Sequence, residues 1–233
     1  MTAVLLATAL VSGCTVAAAA GVALWLRPWR CLGPHGPPWP WIVVWAVLPL
    51  LWALDRQSGV PVVLPMSGAA LLVLLAGWPL AVIALLPVAA ITVLAGPVGL
   101  AGWIDGLLRL MWLGVVPATF VLAIGWMLRR WLPGHLFVYI LGRGYFGTLA
   151  ACALAGLASL ALQPAPPGVL VNDLIVARVL LALGEASLTG AVVAALAAWR
   201  PQWLATYSDL LYLTPPPPCK APPTHAHRRP ASR

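Results

Sequence analysis

The chain has 233 residues, of which 62% are hydrophobic and only 8% charged, and its mean hydropathy is +0.97. Soluble domains carry about 25% charged residues, so this chain cannot clothe a water-soluble globule, and the same hydrophobicity excludes intrinsic disorder. Four cysteines are too few for a disulfide scaffold, and a net charge of +8 comes from 13 basic against 5 acidic side chains, which leaves an integral membrane protein.

A hydrocarbon core about 30 Å thick takes roughly 20 helical residues at a rise of 1.5 Å each. Charge-free runs cover 1–26, 31–54, 57–104, 110–128 and 144–172, and a last stretch, 174–199, is apolar apart from Arg178 and Glu185. The third run holds 48 residues, enough for two spans, and Gly77-Trp-Pro79 near its middle supplies a break with proline at a helix start. The sequence therefore predicts an all-α bundle of about seven transmembrane helices near 3–26, 38–54, 60–77, 79–96, 107–128, 142–162 and 174–199. Period-two alternation is missing, which argues against an outer-membrane barrel.

Near the start, Val11-Ser-Gly-Cys14 has the small residues of a lipoprotein cleavage box. The segment lacks a basic leader, however, and its apolar run continues to Leu26 before Arg27 and Arg30, the pattern of a retained first span. The basic clusters Arg27/Arg30, Arg129/Arg130 and Arg200 with Lys220, Arg228, Arg229 and Arg233 fall on odd-numbered loops and the C-terminus. Even-numbered loops carry Asp55 with Arg56, Asp105 and Asp173. By the positive-inside rule the N-terminus lies outside and the C-terminus in the cytoplasm. Topology thus accounts for the net charge without a nucleic-acid partner.

A charge inside a membrane helix is costly and marks a candidate site. Arg109 and Arg143 lie near expected span ends, the latter flanked by Tyr139 and Tyr145, and read as arginines snorkelling to headgroups. Glu185 is different, eleven residues beyond Leu174 and fourteen before Trp199. Arg178, two turns earlier, and Thr189, one turn later, share its side and form a polar strip. That strip faces a cavity or partner helix, or else Glu185 is a hydrogen-bonded packing residue. Arg178 is about 10 Å away along the axis, so a partner from another helix, or a proton, is expected for Glu185. Small residues recur every fourth position at Ala182, Ala186, Gly190, Ala194 and Ala198, and again at Gly147, Ala151, Ala155 and Ser159, the spacing of close helix packing.

Residues 1–213 form the polytopic membrane domain, and 214–233 a disordered tail. In the tail, Pro215–Pro218, Cys219 and Lys220 precede His225-Ala-His227 and two arginines, a composition that favours an extended basic chain beside anionic lipid. His225 and His227 with Cys219 are the alternative, a metal-binding tract. Lys220 is the only lysine, no GxxxxGK[ST] occurs and no HExxH or Ser–His–Asp set is present, so the chain is expected not to be an enzyme and to need no cofactor.

Four blocks resemble bacterial CbiM-like membrane proteins, the permease components of energy-coupling-factor transporters for cobalt and nickel. Ser67-Gly-Ala-Ala-Leu-Leu with Gly77-Trp-Pro79 resembles HLLGATLLTLMFGP, and His135-Leu-Phe-Val-Tyr-Ile140 with Tyr145-Phe-Gly147 resembles NFFVYIFVNAFFG. Glu185-Ala-Ser-Leu-Thr-Gly190 is similar to EAFLTG. Arg200-Pro201-Gln-Trp203-Leu-Ala-Thr-Tyr-Ser-Asp209 with Tyr212-Leu213 is similar to RPEWVATFDDRRYL. The resemblance runs from Gly59 to Leu213. It implies a substrate-capture component in the bacterial inner membrane, working with a cytoplasmic ATPase and a coupling membrane subunit on a divalent metal ion. In that family metal capture is associated with a Met-His N-terminus and the histidine of HLLG, where this chain has Thr2 and Pro65, so no metal ligand carries over. The alternative is an accessory membrane protein of the same fold without its metal site.

Reporter fusions test the orientation. Alkaline phosphatase is expected to be active when fused after Asp173 and inactive at Arg233; the reverse pattern contradicts the seven-span topology.

Overall fold

The computed structural model describes residues 2–31, 39–58, 64–96, 98–163 and 168–207. Helix is the only extended regular structure among them, and no strand occurs there. The helices are α1 (Thr2–Trp25), α2 (Trp39–Ser58), α3 (Ala69–Ala76), α4 (Trp78–Leu94), α5 (Leu100–Trp131), α6 (Val138–Leu162) and α7 (Val171–Trp199). Four of them, α1, α5, α6 and α7, are long and apolar enough to cross a membrane, while α4 has 17 residues. Apolar helices of this length define a membrane protein. The tail at 214–233 lies outside the described residues, as do Cys219, His225 and His227.

The third expected span departs from expectation. Within its described part, 64–77, residues 64–68 are irregular and helix is confined to the eight residues of α3, every one buried. Proline at position 65 has no N–H and disfavours helix in the residue before it. Gly68 then adopts a left-handed conformation, φ 62° and ψ −5°, which a side chain resists. At the other end Gly77 (φ 82°) separates α3 from α4, as the Gly-Trp-Pro signal predicts.

Charges expected in even-numbered loops are helical. Asp55 and Arg56 lie in the last turns of α2, Asp105 lies inside α5, and Asp173 opens α7, where a carboxylate favours the helix dipole. Apolar run length misplaced these boundaries because charged residues in contact with one another stay inside a helix. Both α5 and α6 carry a wider π-helical stretch, Leu110–Val115 and Val138–Phe146. Their closing bonds run over five residues, Val116 N–H to Met111 O and Gly147 N–H to Gly142 O.

The core forms around α3 and α4. Leu72, Val73, Leu74, Val82, Leu85 and Val88 are fully or almost fully buried, with Leu48 and Trp52 of α2 beside them. Helix α6 packs on α7, and glycines set their closest approach. A Cβ on Gly144 would stand 3.6 Å from Gly190 Cα, and one on Gly190 would stand 3.3 Å from Tyr145 Cβ. Gly147, Ala151, Ala155 and Ser159 are all buried. On α7 the small stripe is buried at Ala182, Ala186 and Gly190, half-buried at Ala194 and exposed at Ala198. Four residues turn a helix through about 400°, so a strict four-residue stripe drifts some 40° per step. The buried face accordingly passes to Val193 and Ala197.

Gly190→Leu is expected to destabilise the bundle by about 1–3 kcal/mol through overpacking against Tyr145. Leu188→Ile, at an exposed position, is expected to leave thermal stability in detergent unchanged. Equal melting of the two variants contradicts the contact.

Candidate functional site

A short helix buried in an apolar interior leaves backbone N–H groups at one end and carbonyls at the other that no water can satisfy. Helix α3 meets this condition with side chains from distant segments. At its N-terminal end the Ser67 N–H donates to Glu185 Oε1, and the Gly68 N–H is also hydrogen-bonded to that carboxylate. Cys152 Sγ donates to Glu185 Oε2 at 3.3 Å. Ser67 O accepts from Trp52 Nε1 at 3.0 Å, and Ser67 Oγ accepts from the Ala69 N–H at 3.2 Å.

The Ser67 hydroxyl also donates to Leu113 O at 2.6 Å. The sequence explains why that carbonyl is receptive. Four residues on stands Pro117, which has no N–H to return to it. The π-helical stretch of α5 lies at this place, so proline, widened helix and serine form one local solution.

At the C-terminal end of α3, the Gly77 N–H bonds Val73 O at 2.9 Å. The segment after α7 folds back to complete the cap: Thr206 Oγ1 donates to Leu74 O at 3.1 Å and the Ala205 N–H to Leu75 O at 3.2 Å. Since the Thr206 hydroxyl proton is used there, Tyr139 Oη is the donor in the 2.8 Å bond between those two hydroxyls. Tyr139 also meets the Tyr207 ring edge-on at 5.0 Å, and Leu204 is buried beneath. The return is made by the Pro201–Trp203 turn, with the Arg200 guanidinium 5.9 Å over the Trp203 ring. Asp209 and Tyr212 lie outside the described residues.

Glu185 is only 4% exposed. Beside it is a cavity of about 20 Å³, lined by Pro65, Ser67, Cys152, Gly156, Arg178 and Glu185 among others, with space for one water. The polar strip is thus present in part. Arg178 and Glu185 face one cavity but make no direct ion pair, and the Arg178 stem rests on Gly156, where a Cβ would stand 3.1 Å from Arg178 Cδ. Thr189 is buried one turn beyond Glu185 and does not line the cavity. The partners of Glu185 come from other segments, as the distance to Arg178 predicts. Two metal-capable donors meet here, Cys152 and Glu185, and no group of three or more His, Cys, Asp or Glu occurs among the described residues.

A second polar cluster corrects the reading of Arg109 as a headgroup anchor. Its guanidinium holds Asp55 through two bonds of 2.9 and 2.7 Å, Asp105 at 2.9 Å and Trp52 O at 2.6 Å. Arg56 pairs with the same Asp105 and donates to Thr92 O at 2.6 Å. Two acids and two arginines from α2 and α5 therefore neutralise each other against α4. Arg143 is no exposed anchor either: it is 6% exposed and lies over Gly125, whose Cβ would stand 2.7 Å from Arg143 Nε. Spacing along one chain could not reveal partners some fifty residues away. Sequence reasoning also missed the roles of Ser67, Cys152 and Thr206; proline at 65 and 117 was the available signal for broken backbone, and none marked these three side chains.

No family model, curated protein or solved structure matches the chain.

Glu185→Ala is expected to cost about 1–3 kcal/mol by leaving the Ser67 N–H buried without an acceptor. Glu185→Gln, which keeps an oxygen for it, is expected to recover at least half of that loss, read as the melting temperature of detergent-purified protein. Equal effects from the two variants contradict a capping role.

Proposed function

We propose that this protein is the membrane permease, or substrate-capture, component of an energy-coupling-factor type transporter in the bacterial inner membrane. Its cargo is a divalent transition metal, cobalt or nickel, and its partners are a cytoplasmic ATPase and a coupling membrane subunit. The observation that carries the reading is the broken helix at α3, gripped by an ionisable residue of α7 beside a cavity. Transporters place binding sites at discontinuous helices, where irregular backbone is sheltered by protein. The resemblance adds support in space. Ser67 bonds Glu185, while Tyr139 meets Thr206 and Tyr207 at the far end of α3, so all four resembling blocks converge on one helix. The chain carries no nucleotide-binding motif of its own, so ATP hydrolysis belongs to a partner.

A second reading, an accessory protein of the same fold without a metal site, is favoured by the occupation of both Glu185 oxygens and by Thr2 and Pro65 at the histidine positions. Cobalt and nickel uptake in cells with and without the gene, joined to co-purification of an ATPase, separates the two. The permease reading expects uptake to depend on the gene and an ATPase to co-purify. Co-purification with uptake unchanged on deletion supports the accessory reading. Unchanged uptake with no co-purifying ATPase rejects both readings. Glu185→Gln then asks whether the carboxylate acts through its charge: loss of uptake with normal expression and assembly assigns it to transport, and normal uptake assigns it to the α3 cap alone.

A further inference from the structure

A second cavity does not touch α3's polar cap at Glu185. It lies between the C-terminal end of α5 and the start of α6, has a volume of about 280 Å³, and is lined by Arg129 and Arg143 together with Gly125, Leu128, Leu132 and Tyr139. Both charged residues in its lining are arginines, and no carboxylate contributes to it. Arg143 reaches the cavity from a buried position, seated in the space left by the missing side chain of Gly125. It also keeps an interaction within the chain. Arg129, on the exposed side, adds a second fork at the mouth.

Depth narrows the class of ligand. Trp126, Trp131 and Phe137 are exposed around this end of the helix pair, the pattern of an aromatic belt at headgroup level. Planar guanidinium groups match phosphate oxygens with two parallel hydrogen bonds, and basic pockets between membrane helices bind phospholipid headgroups. The leucines beside the arginines suit the glycerol and first methylenes of a lipid.

We infer that the Arg129–Arg143 pocket between α5 and α6 is a binding site for a phosphate-bearing anion, supplied by an acidic phospholipid headgroup or by free phosphate. The inference does not depend on what the protein transports.

The test uses the full chain, delipidated in a neutral detergent, titrated separately with phosphatidylglycerol, phosphatidylcholine and inorganic phosphate, and read by native mass spectrometry and thermal shift. Phosphatidylglycerol is expected to bind one per chain and raise the melting temperature, with phosphatidylcholine much weaker. Competition by millimolar inorganic phosphate assigns the site to free phosphate, and its absence assigns it to lipid. Arg129→Gln, a change at an exposed side chain, is expected to weaken binding about fivefold, the effect of one basic group at a membrane surface. Gly125→Ala, which displaces the Arg143 guanidinium, is expected to weaken it at least as much. Equal retention of the two lipids, or wild-type affinity in both variants, overturns the proposal.

Discussion

Eight buried residues of helix, too short to cross a bilayer and cut off from water at both ends, set the terms for the rest of this molecule. Each unsatisfied backbone group in an apolar interior costs several kcal/mol. The short helix therefore exists only because others come to it: a carboxylate from α7 and a serine hydroxyl at one end, a threonine and a backbone amide from the returning C-terminal segment at the other. The identities of Glu185, Ser67 and Thr206 follow from that demand, as does the glycine at 68, whose φ of 62° turns the chain into the helix. The π-helical stretch of α5 belongs to the same economy of donors and acceptors, since it lies where Pro117 withdraws one and Ser67 replaces it.

Two other charged clusters obey a different rule. Asp55, Arg56, Asp105 and Arg109 are brought together by two helices, α2 and α5, and are partly shielded from solvent. Removing one member of such a group leaves the others uncompensated, so the four act as a unit. Arg143 instead rests over a glycine, in a space shaped by what Gly125 lacks. In both places a charge is accommodated by other groups of an apolar protein.

Hydropathy located the helices well because helix length and apolar content are properties of contiguous residues. Segments near 3–26, 38–54, 79–96, 142–162 and 174–199 each coincide broadly with one helix. The half-helix escaped because leucine and alanine look alike in a span and in a buried fragment. Proline 65 and glycine 68 carried the information, and only their joint effect on the backbone reveals it. Glu185 stood out from its depth alone, and its independence of Arg178 followed from helix rise. Its true partners did not, since Ser67 is 118 positions away and Cys152 is 33. Arg109 was misjudged for the same reason: its partner Asp55 is 54 positions distant. Four-residue spacing likewise overstated the α7 stripe, because 3.6 does not divide four and Ala198 rotates out of the interface.

The grip on α3 also has a consequence for how the protein is made. Ser67 waits 118 residues for Glu185, and Leu74 waits 132 for Thr206. At synthesis rates of about 5–20 residues per second, the interval to Glu185 is roughly 6–24 s. Throughout it the nascent α3 lacks the long-range partners at both of its ends, although α1 and α2 precede it and α4 follows directly. The insertion machinery must therefore shelter this segment until α7 arrives, and the Ala205–Thr206 return acts as a late step of assembly.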